Sequence, residues 1–192
     1  MKPIEQNLTQ YAAYHRDRRN IATHFVGVPL IVFSIVLALA VVVIPVGTVA
    51  ITLAAIVSIA ACAYYLRLDL GLGIAMALAL FAMCAAASEI THRMGTGTAL
   101  ALAAAIFVAG WAIQFLGHHY EGVKPAFYDD VKQLLIGPLF VCAEAWFLLG
   151  GRPQLRCHIE ERVGPTVARR NGRPIPIHDE PGHEIFDQGG KP

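Results

Sequence analysis

Eight histidines stand in this 192-residue chain, and two groups of them sit beside long apolar runs. One group lies in YAAYHRDRRNIATH and supplies His15 and His24. The other lies in QFLGHHYEGVKPAF and supplies His118, His119 and Glu121. Imidazole is the commonest metal ligand and titrates near neutral pH. Several imidazoles at one place would therefore bind a metal ion, with a carboxyl or amide nearby to orient them. Spacing limits how this can happen. His15 and His24 are nine residues apart, so a single straight helix would separate them by about 13.5 Å along its axis and point them in opposite directions. Both can serve one site only if the chain breaks between them. Asn20 is a suitable N-cap for the helix that carries His24, which leaves a separate short helix over roughly 4–18. Tyr11 and His15, four apart, would share a face of that short helix. His118 and Glu121 are i,i+3 neighbours if their helix continues that far.

The elements that must position these residues belong to a membrane protein. The chain is 56% hydrophobic and 15% charged, with mean hydropathy +0.53, against about 25% charged residues in soluble domains. From Ile21 to Leu66 there is no Asp, Glu, Lys or Arg, and that stretch is long enough for two spans of about 20 residues. Pro45 and Gly47 in IPVG divide it. The reading is an all-α integral-membrane bundle with spanning helices over 24–43, 48–66, 70–88 and 98–116. A fifth run, 131–149, contains Pro138 and Glu144 and reads as re-entrant or in-plane. Ala- and Gly-rich sequences let such helices pack closely where lipid gives no hydrophobic drive. Residues 1–150 form the membrane-embedded domain, and 151–192 an irregular polar tail in which TVARRNGRPIPI suggests a hairpin at Asn-Gly. The tail's His158, His178 and His183 read as solvent-facing. The run after Arg16, Arg18 and Arg19 is too long for a signal peptide.

Four spans place Lys2, Arg16, Arg18, Arg19, Arg67, Lys124 and Lys132 on one side and only Arg93 on the other. The side rich in basic residues is the cytoplasmic one, so the N-terminus is expected there. The same topology brings Tyr11–His24 and His118–Glu121 to one membrane face. Ionisable groups at such depth are costly and tend to be functional. Glu89 and His92 have the E-x-x-H spacing of di-iron bundles, but the topology puts them on the opposite face, about 30 Å away. A net charge of +1 gives no field for nucleic acid. The scattered cysteines (Cys62, Cys84, Cys142, Cys157) support neither a thiolate zinc site nor a disulfide scaffold, and no Gly-rich nucleotide loop is present. Two other readings stay open: a non-enzymatic membrane scaffold with interfacial histidines, and a haem protein using His24 and His118 as axial ligands. A homo-oligomer is also open.

At the two histidine clusters the sequence resembles the small integral-membrane 2-hydroxy fatty acid dioxygenases of fatty-acid α-oxidation, typified by a yeast endoplasmic reticulum enzyme with bacterial relatives. The resemblance rests on Tyr14-His15, Asn20, T-H-x-x-G-V-P-L from Thr23 to Leu30, and Q-F-x-G-H from Gln114 to His118. Glu121, Pro125-Ala126 and G-P-L-F…E from Gly137 to Glu144 continue it, over residues 11–147. It implies Fe(II), O2 and a 2-hydroxy fatty acid shortened by one carbon, in a bacterial inner membrane or the endoplasmic reticulum. Imidazole suits iron with open positions. His15, His24 and His118 are the expected ligands, with His119 a fourth candidate. Glu121 and Asn20 are expected to orient those ligands. Arg16, Arg18, Arg19 or Lys124 would pair with the substrate carboxylate, with Tyr14 nearby. Membrane lipid would deliver the acyl chain between the helices.

Overall fold

The structure, a computed structural model, describes residues 2–126 and 130–167. It is mostly helical. Helix α1 (Pro3–Ala12) starts with proline at its first turn, where a missing N–H costs nothing, and the Lys2 backbone N–H donates to Glu5. Its Ile4, Leu8, Tyr11 and Ala12 form the buried stripe that helical periodicity requires. The chain then leaves helical geometry, and α2 (Arg18–Ala40) begins at Asp17, whose carboxylate accepts from the Arg19 N–H. The required break between His15 and His24 is therefore present, but its cap is Asp17. Asn20, expected there, lies inside the first turn of α2 and is buried.

After α2 the structure departs from an all-α reading. The span expected over 24–43 ends at Ala40. Strands β1 (Val43–Val46) and β2 (Val49–Thr52) then pair antiparallel, Val43 with Thr52 and Pro45 with Ala50. The β-branched run VVVIPV favours extended backbone, Pro45 cannot continue a helix, and Gly47 turns the chain at φ +61°. Helix α3 (Leu53–Leu68) consequently starts five residues later than expected, capped by Thr52. Its 16 residues are about 24 Å long, short of the usual hydrocarbon thickness.

The helices expected over 70–88 and 98–116 fall in one element, α4 (Leu70–Glu121), which is broken at Gly95 (φ 75°, ψ 164°). Asp69 caps its start. Ala75, Met76, Ala79 and Leu80 from the first arm line a cavity with Val28 and Val32 of α2, while Gly110 in the second arm packs on Gly27 and Ile31. In a straight helix Met76 and Gly110 would lie about 51 Å apart. Since both meet the same two turns of α2, the chain doubles back at Gly95, where glycine takes a φ that other residues avoid.

The seam between α2 and the second arm of α4 is lined by glycines. A Cβ on Gly110 would come within 2.8 Å of Ile31, and one on Gly117 within 2.0 Å of Thr23 Oγ1 and 2.5 Å of Asn20 Oδ1. Small residues here let the two backbones approach closely, which brings His24 and His118 side by side.

Helix α5 (Gln133–Leu148) contains Pro138 and Glu144, as expected of the fifth run. Its start shares a cavity with His15, and Glu144 near its end pairs with Arg16. Both ends are thus tied to the same end of α2. Helix α6 (Pro153–Val163) follows at 114° to α5 and corrects the expectation of an irregular tail from Gly151. Leu155, Ile159 and Val163 form an i,i+4,i+8 stripe buried in the same core as Ile4 and Leu8. His158 is half-buried beside Arg162 instead of solvent-facing. The hairpin suggested at Asn171-Gly172, with His178 and His183, lies outside the described residues.

Two helices, α2 and α4, are long and apolar enough to cross a membrane, and three do if α5 and α6 count as one bent span. Many large apolar side chains face outward, including Ile59 (68% exposed), Phe81 (75%) and Val108 (67%). A soluble protein would not leave such a surface to water, so these faces meet lipid.

Candidate metal centre

Three of the four histidines expected as ligands converge. His15 comes from the α1–α2 connection, His24 from the second turn of α2 and His118 from the last turn of α4. Their ring centroids are 4.6 Å (His15–His24), 5.1 Å (His15–His118) and 5.3 Å (His24–His118) apart, all in edge contact. One nitrogen from each lies within 4.8 Å of the others, and all three residues are buried. His119, the fourth candidate, points away: it is exposed and packs beside Tyr120. Consecutive residues of a helix project about 100° apart, so only one of the two can face the seam.

Backbone carbonyls set the orientation of two rings. Tyr11 O and Asn20 O each lie 2.8 Å from an Nδ1, of His15 and His24 respectively. Donation from Nδ1 fixes the tautomer and leaves Nε2 as the lone-pair donor. The Tyr11 ring stacks on His15 at 4.1 Å and 3°, which realises the i,i+4 pairing expected of those two. Burial, reinforced by the neighbouring imidazoles, holds His15 well below the usual histidine range. This favours the neutral imidazole, the form a metal needs.

Glu121 is held by donors of the α1–α2 bend. Its two oxygens accept from the Arg16 N–H (3.0 and 3.1 Å), the Asp17 N–H (2.8 Å) and Asn20 Nδ2 (3.0 Å). One buried carboxyl thus fastens the end of α4 to the bend before α2, while Asn20 links Glu121 to His24 through its own carbonyl. The expected orienting role of Glu121 and Asn20 has this geometry.

The expected carboxylate partners are placed otherwise. Arg16 is 1% exposed. It donates from Nε to the Ala12 and His15 carbonyls and from its terminal nitrogens to the Gly164 carbonyl and Glu144. Its donors are engaged in tying α1, α5 and the end of α6 together. Arg19 forms a two-point pair with Asp17 and lies over the Tyr120 ring at 5.0 Å. Arg18 donates to the Thr166 carbonyl, and Lys124 is exposed. None of Tyr14, Arg16, Arg18, Arg19 and Lys124 lines the cavity at the histidines. A guanidinium is more cheaply kept at the wet rim or paired with a carboxylate than left unpaired in an apolar cavity.

That cavity, about 250 Å³, has the three histidines at its polar end. Its walls are apolar, drawn from Val28, Ile31 and Ile35 of α2, Phe107 and Trp111 of α4, and Leu134 and Pro138 of α5. Besides the histidines and Tyr11, its polar lining is Gln114 and Gln133. Gln114 belongs to the Q-F-x-G-H motif but had no role assigned, and Gln133 was missed. The available signal was a polar residue opening an otherwise apolar run.

A metal ion suits this donor set. His15 Nε2 is buried without a hydrogen-bond partner among the described residues, which costs about 1–3 kcal/mol unless something is bound to it. Three imidazoles without thiolate are a set that iron accepts, with positions left open. Haem fits worse, because His24 and His118 are in edge contact with His15 against both, leaving no plane for a macrocycle between them.

Comparison with known proteins gives the family. No solved structure matches the chain. The 2-hydroxy-palmitic acid dioxygenase MPO1 of Saccharomyces cerevisiae is 36% identical over 70 residues, 35% of this chain and 39% of the yeast protein. The chain thus aligns with about two-fifths of that relative's length. The family described as Mpo1-like, "2-hydroxy-palmitic acid dioxygenase Mpo1-like", matches residues 1–149. That match includes every residue of the histidine site, and the chain belongs to the Mpo1-like family.

Proposed function

We propose that this protein is an iron- and O2-dependent dioxygenase that shortens 2-hydroxy fatty acids by one carbon. The observation that carries the reading is the convergence of three buried imidazoles at the polar end of an apolar cavity. His15, His24 and His118 would hold the iron. Bound Fe(II) supplies the redox chemistry with O2 that protein side chains lack. The chain's own residues do the rest. Tyr11 O and Asn20 O keep two imidazoles turned inward, and Glu121 holds the bend on which one of them stands. The apolar walls receive the acyl chain and exclude water from the reacting end.

The site lies at the membrane face that carries the N-terminus. Four spans (α2, the two arms of α4, and the short α3 with the bilayer thinned around it) would put both α1 and α6 on the cytoplasmic side, as the basic-residue asymmetry favours. Reporter fusions after Gly47, Arg67, Gly95 and Lys124 test this, and a common side for Arg67 and Gly95 would refute it. The functional test is turnover. With Fe(II) and no oxygen, a 2-hydroxy fatty acid should persist; on admitting O2 it should yield the acid one carbon shorter, without 2-oxoglutarate or a nicotinamide. Elemental analysis of the purified protein should find about one iron per chain, carried by one three-imidazole site. Full iron loading without turnover would leave the fold shared and the activity not.

A further inference from the structure

The cavity holds two carboxamides that the metal centre does not use. Gln133, at the first turn of α5, is 3% exposed, and Gln114, on α4 one turn before His118, is 5% exposed. The Oε1 atom of each is buried with no hydrogen-bond partner among the described residues. The orientation of Gln133 is fixed, because its Nε2 donates to Asp130 Oδ2 at 3.3 Å, so the oxygen is the end left over. Gln114 is packed against Gly27, where a Cβ would come within 3.2 Å of its Cγ and Cδ. These are unpaired acceptors in a cavity whose other polar groups are the three imidazoles and the Tyr11 phenol.

A fatty acid carboxylate has no donor to give them. A 2-hydroxy acid has one, its C2 hydroxyl. We propose that Gln133 selects 2-hydroxy over unhydroxylated fatty acids by accepting the hydrogen bond of that hydroxyl, with Gln114 as the neighbouring acceptor. The inference rests on the fatty-acid reading of the cavity given above and adds to it the residue that distinguishes one acid from the other. Sites built to hydrogen-bond a hydroxyl discriminate strongly against the analogue lacking it, because their buried polar groups are then stranded.

Binding tests this without turnover. Trp111 lines the same cavity, so its fluorescence reports occupancy in full-length protein carrying Trp146→Phe, placed in phosphatidylcholine nanodiscs under argon. The probes are 2-hydroxyhexadecanoic and hexadecanoic acid, with Fe(II) and again after chelation. The unsubstituted site should favour the hydroxy acid by about tenfold or more in both states. Gln133→Met, close to Gln in shape, should bring the ratio near one, and Gln114→Met should lower it less. Retained binding of hexadecanoic acid reports an intact cavity in each variant. Equal binding of the two acids by the parent, or an unchanged ratio in Gln133→Met, overturns the role of Gln133 while the fatty-acid reading stands. Failure of the parent to bind either acid overturns both.

Discussion

The last turn of α4 and the segment just before its midpoint carry similar side chains in different surroundings. At the end, His118 and Glu121 are 8% and 1% exposed, and Glu121 has accepted hydrogen bonds from three donors on the far side of the seam. Near Gly95, Glu89, His92 and Arg93 stand exposed, and Glu89 and Arg93 pair with each other, one turn apart. Both segments show the glutamate–histidine pairing at three residues that attracts notice in a sequence. Only the first has imidazoles from elsewhere converging on it. A motif within one helix costs little to maintain, whereas a buried polar cluster must be satisfied by partners distant in sequence. That difference distinguishes a site from a solvated end.

The largest effect should come from the imidazoles themselves. His15→Ala, His24→Ala or His118→Ala should each reduce activity by more than about 10²-fold, exceeding the effect of losing a residue that only orients a ligand. Bound iron should fall in parallel, while circular dichroism keeps its helical signal. Retained iron in any of the three would remove that residue from the ligand set.

Next is the clasp beneath them. Glu121→Ala strands the Arg16 and Asp17 N–H groups and Asn20 Nδ2, buried donors worth about 1–3 kcal/mol apiece if left unmade. Iron affinity should drop about 10- to 100-fold through loss of ring orientation, and thermal unfolding should move down. Glu121→Gln keeps one acceptor oxygen and should lie between. If Glu121→Ala abolished iron binding as completely as His118→Ala does, the carboxyl would be a ligand and the geometry above would be wrong. A smaller effect on iron is expected from Arg16→Leu, which takes the buried guanidinium from the half-buried Glu144 and from the Ala12, His15 and Gly164 carbonyls. It should lower stability, by about 1–3 kcal/mol for each buried acceptor left unpaired, and leave the 2-hydroxy acid preference intact. A selective loss of carboxylate binding would restore Arg16 as a substrate residue.

Much of this was legible in the sequence because apolar runs and histidine spacing are local signals. The runs located α2, α3 and the arms of α4, and the nine-residue interval between His15 and His24 demanded the break found at Asp17. What was not legible depended on partners far along the chain. Arg16 reads as a free cation until Glu144, 128 residues away, is seen beside it. Cap identity between Asp17 and Asn20 is decided by Glu121, which claims the Asn20 side chain. The β-hairpin at Val43–Thr52 was hidden because an apolar β-branched run suits a span as well as a strand. Helix α6 was hidden by its polar composition, although Leu155, Ile159 and Val163 carry the period. Gln133 was legible as a residue but not as a site, since its missing donor is a property of the cavity.

The smallest effect should come from the exposed segment before Gly95, and it tests whether burial is the right criterion. Glu89→Ala breaks an i,i+4 pair between side chains that are 56% and 75% exposed, a class of interaction worth about 0.3–0.5 kcal/mol. His92→Ala removes an exposed ring from which the structure draws no hydrogen bond among the described residues. Stability should therefore change by no more than about 0.5 kcal/mol in either variant, and iron content and turnover should match the parent. Solvation sets the size of the effect: a glutamate already in contact with solvent or headgroups loses little when its partner is removed. Loss of iron in His92→Ala comparable to that in His24→Ala would place the metal beside the Gly95 break of α4, where no three-imidazole cluster forms among the described residues. It would then be the spacing within one helix, and not convergence from three segments, that marks the site.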